Sequence, residues 1–329
     1  MLMIADFGRT DDGRDVRIVT FGSDSLRCTA LDLGCSLRSV EYRGKDVVLG
    51  YDDADSYLHN GGHFGGVIGR FANRIKDGRC PVGDRIFQLT KNRNGNHMHG
   101  GNDPYDKRIW HISSHDDSSV VFELDDRDSE DGYPGDMHIT CTYRVEGDSL
   151  IAEYVAVSDE DTVCNIINHS YFNLGTSKDV TDHHVILDAD RYTPLDEDSI
   201  PTGEIVPVDG TDMDFRNGRS LKGMHGFDCN WEVGGCPGEM RRAGKTWCDS
   251  SDVTMEVYTN MPGIQFYTGN GIKEGTKGKN GAVYGKWSGL CLETQHFPDA
   301  PNHQNFPSAL LKKGETYRHI TEYRFSDGD

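Results

Sequence analysis

Long apolar runs are missing from this sequence. No stretch approaches the ~20 apolar residues that span a bilayer, and the opening MLMIADFGRT lacks a basic start followed by an apolar run. Neither a membrane helix nor a secretory leader is therefore expected. Basic residues are also scarce: 34 Lys and Arg stand against 54 Asp and Glu, a formal charge of −20. That balance argues against nucleic acid and anionic membranes as partners, since both recruit basic patches. The acids are scattered, as at Asp52, Asp53 and Asp55, in the manner of a solvated surface. No Cys-x-x-Cys pair occurs among the nine cysteines. Reduced thiols in a cytoplasmic protein account for them most simply. Helical periodicity over ten or more residues is equally hard to find.

What is present is a succession of short strand-like runs between turn-formers. Asp15–Thr20, Ser36–Tyr42, Arg85–Leu89 and Val120–Leu124 are early examples. From Met137 to Val145, apolar residues alternate with His138, Thr140, Thr142 and Arg144, the period-2 pattern of a half-buried strand. Glu146-Gly147-Asp148 then turns the chain into Leu150–Val157, which predicts a hairpin. Thirty-nine glycines suit many tight turns. Without a repeat or a low-complexity linker, residues 1–329 read as one large all-β domain, an antiparallel β-sandwich with few short helices. The polar stretch 234–252 reads as a long excursion from it.

Five stretches carry chemistry-bearing side chains. In GRFANRIK, Arg70, Asn73 and Arg74 offer planar donors and an amide for carboxylates, phosphates or sugar hydroxyls, and at least one arginine is expected to be a structural ion-pairing residue. In NHMHGG, His97 and His99 share a face if the segment is extended; an H-x-H pattern suits a metal, but no companion ligand spacing supports one. In NIINHSYFNLG, His169 follows the apolar pair Ile166 and Ile167, with Tyr171 close by. In GFDCNWE, Asp228 lies between Phe227 and Trp231, a mixture of carboxylate and aromatic faces that suits a sugar. In MPGIQFYTGN, Gln265 alternates with Ile264 and Phe266 along a strand. The stretch GLCLETQHFPDAPNHQNFP adds a carboxylate, Glu293, expected at the end of a buried strand and facing the polar groups that follow it, a natural general base.

Taken in order along the chain, GRFANRI, HGG at His99, NHSYFNLG, FDCN, PGIQFYTGN and GLCLETQHFPDAPNHQNFPSALLKKGE resemble the galactose mutarotase family, the aldose 1-epimerases. The resemblance covers nearly the whole chain. It implies a β-sandwich of the mutarotase type, no metal and no organic cofactor, and interconversion of the α and β anomers of free aldoses such as galactose and glucose. It further implies Glu293 as general base and His169 as general acid, with Asn73, Arg74, His99, Tyr171, Asp228 and Gln265 at sugar-binding positions. Two departures stand out: Met98 replaces a common leucine, and His97 replaces a smaller polar residue at what is expected to be the pocket's edge.

The charge states expected from proximity alone are a carboxylate on Glu293 and an imidazolium on His169, each favouring the other. Three other readings stay open at this point. A glycoside hydrolase would use Asp228 and Glu293 as its carboxylate pair. A non-catalytic sugar-binding module would keep the fold without needing both Glu293 and His169. A phosphosugar epimerase would want more basic residues than the Arg70 and Arg74 cluster supplies. The partner expected is a small monosaccharide, and nothing in the sequence speaks to oligomeric state.

Overall fold

Met137–Glu146, the run with the cleanest alternation, is a strand in which Met137, Ile139, Cys141, Tyr143 and Val145 are buried and the intervening side chains are not. This computed structural model describes residues 3–59, 61–128, 131–224, 226–236 and 238–328. The strand turns back on Ser149–Ser158 with Glu146 opposite Ser149. Gly147 takes φ +60° at the turn, the left-handed backbone that two-residue hairpin loops require and glycine supplies without strain. Around this hairpin grows a nine-stranded antiparallel sheet. Its centre is the last strand of the chain, Thr316–Asp327, held between Ser149–Ser158 and Ser251–Thr259.

The N-terminal segment folds as a five-stranded meander from Met3–Arg9 to Lys45–Asp46. Its inner face, including Val19, Phe21, Cys28 and Val40, packs on Val120, Phe122, Ile139 and Tyr143 of the large sheet. Two sheets joined face to face by apolar side chains make a β-sandwich. The 234–252 stretch is no excursion: it supplies Arg241–Cys248, paired with Ser251–Thr259 inside the large sheet, although position 237 lies outside the described residues. Among the described residues, one six-residue α-helix, Ala54–His59, and single 3₁₀ turns make up the helical content. No helix among the described residues is long and apolar enough to cross a membrane.

A second five-stranded sheet carries Asp228, Gln265 and Glu293. Asp228–Glu232, Gly263–Tyr267 and Cys291–Gln295 lie side by side, antiparallel. On one face Trp231, Ile264, Phe266 and Leu292 enter the main core, where Phe266 meets Phe215, Phe227 and Trp231 edge-on, tilted or stacked. Burial of each such ring contributes roughly 1.5–3 kcal/mol. Because side chains alternate along a strand, the other face must carry Asp228, Gln265, Tyr267, Cys291 and Glu293. Register completes the pattern: Asn230, Gln265 and Glu293 stand directly opposite one another, and Asp228, Tyr267 and Cys291 form the adjacent row.

Buried histidines tie the layers together. His319, on the central strand, bonds the Ile166 carbonyl through Nδ1 at 2.7 Å and the Thr294 hydroxyl through Nε2 at 2.7 Å. It thereby fastens the chain just before His169 to the residue beside Glu293. His183 accepts the Leu174 N–H at 2.9 Å. Burial pushes His319 down to about 3 and His183 and His296 down to about 4. These folded values lie below the ~6.5 of an unfolded chain. The native state therefore refuses protons that the unfolded state binds, and stability should fall as pH drops through the window from about 6.5 to about 3. Thermal unfolding followed from pH 7.5 to 5 should show a declining midpoint; a level midpoint would contradict the neutral assignment of these rings.

Candidate active site

Glu293 occupies the middle of Cys291–Gln295, not its end, and its side chain is 3% exposed. The polar residues after it do not face it as expected. Gln295 turns to Asn230 and Gln265, while Asp299 accepts the Lys76 N–H at 2.9 Å and the Asn302 amide at 2.6 Å. They brace the loop against the segment around Arg74. What does face Glu293 comes from far away in the chain: His169 Nε2 lies 3.6 Å from Glu293 Oε1.

His169 follows the two-residue strand Ile167–Asn168, which pairs with Val67–Ile68. Its backbone N–H donates to Gly66 O and its carbonyl accepts from the Gly65 N–H, so both ends of its peptide unit are held. The ring stacks on Tyr171, centroids 5.0 Å apart and planes at 26°, and its Nδ1 faces Cys291 Sγ at 3.6 Å. His99 stands edge-on at 5.5 Å.

Asn73 takes φ +64°, a left-handed conformation that asparagine tolerates. Its N–H donates to His99 Nδ1, and its carbonyl accepts the His99 N–H. The approach of these two segments depends on Gly100: a Cβ there would lie 1.9 Å from Gly69 O. Arg74 extends toward Asp228, with Nη2 3.7 Å from the carboxylate, and Gln265 donates to Asp228 Oδ1 at 2.6 Å. Together Asn73, Arg74, His99, His169, Tyr171, Asp228, Gln265 and Glu293 line one cavity of ≈990 Å³, at the upper end of the ~300–1,000 Å³ usual for small-molecule sites.

Burial decides the charge states. It pushes Glu293 well above the usual carboxylate range, with Asp228 adding to the rise and Arg74 opposing it. It also pushes His169 down to about 3, assisted by His63. Burial thus disfavours the ionised form of each partner and works against the imidazolium–carboxylate pair that proximity alone favours. Attraction between unit charges at about 4 Å is worth about 4 kcal/mol at an effective dielectric of 20; removing each ion from water costs several. Desolvation of both partners outweighs the attraction between them.

His97 and His99 do not share a face, because only His97–Met98 is extended and His99 turns to φ +50°. His97 is fully buried, bonded to Thr90 O and the Tyr133 hydroxyl, so it does not form the pocket's edge. Arg70 is the structural arginine of its pair: it is buried against Asp126 at 2.8 Å and donates to Pro134 O. Overlooked were Tyr267, Cys291 and His63. His63 lines the cavity, with its Nδ1 2.8 Å from the buried Asp106 carboxylate and its ring 5.8 Å from that of His169. Burial raises Asp106, but His63 and Lys107 beside it bring it to below the ordinary carboxylate range. The glycine-flanked string GGHFGG was the available signal for His63.

A family model described as aldose 1-epimerase matches residues 17–324. The galactose mutarotase of Homo sapiens is 42% identical over 319 residues, covering 92% of each chain. The aldose 1-epimerase of Escherichia coli K12 is 32% identical over 334 residues, covering 95% of this chain and 96% of that one. Among solved structures, an aldose epimerase homologue from C. elegans superimposes with a TM-score of 0.88 at 27% identity over the whole of both chains. A galactose 1-epimerase from Lactobacillus acidophilus gives 0.87 at 27% identity, covering 100% of this chain and 99% of that one.

The two arginines should separate cleanly on substitution. Arg70→Met leaves a buried carboxylate short of one cation and should destabilise the fold by about 3 kcal/mol, with KM unchanged for the protein that folds. Arg74→Met should leave the melting midpoint near that of the parent and raise KM about tenfold, the loss of one charged hydrogen bond. Denaturant unfolding and steady-state kinetics on both variants check this; the reverse pattern would mean the roles are exchanged.

Proposed function

The chain belongs to the aldose 1-epimerase family, and from that membership we propose how its cleft performs mutarotation, with Glu293 as general base and His169 as general acid. The protein is an isomerase that interconverts the anomers of a free aldose. Galactose heads the candidate substrates because the human relative is named a galactose mutarotase, and glucose differs from it at one hydroxyl. The glycoside hydrolase and non-catalytic sugar-binding readings are not favoured.

One observation supports the assignment of roles above others: Glu293 Oε1 and His169 Nε2 sit 3.6 Å apart, both almost fully buried, in a cavity lined with hydroxyl-binding groups. Glu293 takes the proton of the anomeric hydroxyl, whose O–H electrons become the second bond of the aldehyde. The bond between C1 and the ring oxygen breaks, and that oxygen takes the Nε2 proton of His169. Rotation about C1–C2 presents the other carbonyl face, and closure returns both protons. Each group ends the cycle as it began.

The buried pair's preference has a meaning in this cycle. Carboxylate with imidazolium and carboxyl with neutral imidazole contain the same number of protons. The first is the arrangement that opens the ring, and the second is what remains once the ring is open. By favouring the neutral arrangement, burial lowers the open-chain intermediate relative to the closed sugar. Asn73, Arg74, His99, Tyr171, Asp228 and Gln265 would hold the hydroxyls so that the two reacting oxygens stay within hydrogen-bond reach, an orientation contribution in its own right. Tyr171, whose hydroxyl burial and the neighbouring Cys291 push well above its ordinary value, stays a neutral donor. This reading treats residues 1–329 as one domain that needs no metal or organic cofactor. A reducing compartment such as the cytoplasm suits the nine cysteines, all of them free thiols.

Polarimetry of freshly dissolved α-galactose and α-glucose tests the roles. Glu293→Gln keeps the shape and loses basicity, so it should lower kcat by about 10²–10⁴-fold while galactose still binds. His169→Asn should lose a similar factor. A Glu293→Gln enzyme with near-parental turnover would remove Glu293 as the base, and an unaltered pH–rate profile in His169→Asn would remove His169 as the acid.

A further inference from the structure

The reaction needs His169 to exchange its proton through Nε2, the nitrogen that faces Glu293. An imidazole has two nitrogens, and the partner of one decides which proton the other can give. The partner of Nδ1 here is a thiol: Cys291 Sγ lies 3.6 Å away and is fully buried. Cys291 and Glu293 are two residues apart on one strand and so point to the same face. A single strand thus brackets the ring, a carboxyl against one nitrogen and a sulfur against the other. One donor atom from each of His169, Cys291 and Glu293 lies within 4.8 Å of the others. Stacking on Tyr171 keeps the ring in the plane where both contacts can form.

We propose that Cys291 is a positioning residue for the epimerase reaction: its sulfur accepts the Nδ1–H of His169 and leaves Nε2 as the nitrogen that gives and retakes the proton at the sugar's ring oxygen. The proposal rests on His169 being the acid. Sulfur suits the task because it is a weak acceptor. A carboxylate on Nδ1 would raise the basicity of the ring, as second-shell carboxylates do for metal-bound histidines, and an imidazolium made more stable is a poorer acid. A thiol orients the ring and adds little to its basicity. A thiolate paired with the imidazolium is disfavoured, because burial and the neighbouring Glu293 carboxylate push the thiol's ionisation far up.

The test compares Cys291→Val, which fills the space without accepting a hydrogen bond, with Cys291→Ser, which keeps a heteroatom at the same position. Mutarotation of α-galactose is measured across pH for each, with melting midpoints to verify folding. Cys291→Val should lose about tenfold in kcat, the scale of second-shell effects, with KM within about twofold, and its His169-dependent limb should move to lower pH. Cys291→Ser should recover kcat to within about twofold and move that limb to higher pH, oxygen being the better acceptor. Cys291→Val with parental kcat and pH profile would overturn the proposal, as would Cys291→Ser no more active than Cys291→Val. His169→Asn is run alongside. High turnover in that variant would undo the acid assignment itself, whereas an inactive His169→Asn beside a parental Cys291→Val would remove only the sulfur's role.

Discussion

The structure turns on keeping two ionisable groups out of water within 3.6 Å of each other. Withdrawing a carboxylate and an imidazolium from solvent is unfavourable by more than their attraction returns, so burial works against charge on both. That is tolerable only if neither side chain can escape to solvent. The surrounding architecture prevents escape. Glu293 is locked in mid-strand, and His169 is fastened at both ends of its peptide unit and faced by an aromatic ring.

Positioning of this kind is achieved with register and a few buried polar bridges. The row Asn230, Gln265 and Glu293 is a consequence of antiparallel pairing: a slip of one residue would turn Glu293 into the core and Leu292 into the cleft. The bridges then join segments remote in sequence. Asn165 accepts the His296 N–H and donates to Ala72 O, while His319 spans Ile166 and Thr294. These contacts fasten the chain carrying His169, the chain carrying Arg74 and the strand carrying Glu293 to one another. A buried polar network is favourable only when its members are satisfied, which makes this arrangement stiff.

Where the sequence could be read and where it could not follows from the range of the interactions. Alternation made Met137–Glu146 and its hairpin legible because strand faces repeat every two residues and the turn is local. Of the residues lining the cavity, Asn73, Arg74, His99, His169, Tyr171 and Asp228 were legible through resemblance to the aldose 1-epimerases, and Gln265 and Glu293 also through their strands. His97 was misplaced because its side chain answers to Tyr133, 36 positions away. Arg70 and Arg74 look equivalent in GRFANRIK and part only because Asp126 and Asp228 wait in different places. Asp299 and Asn302, among the polar residues that follow Glu293, turn instead to the Lys76 backbone and to each other.

By itself, then, the sequence determined the β character, the family and the eight side chains proposed for the cleft, since periodicity, turn chemistry and ordered motifs are written along the chain. Tertiary structure alone decided which face each of them takes, that His63 lines the cavity and Cys291 Sγ meets the His169 ring, and that burial opposes charge on the central pair. The reason is physical: a pKa depends on water removed and charges approached, and both are set by segments that meet only after the chain has folded.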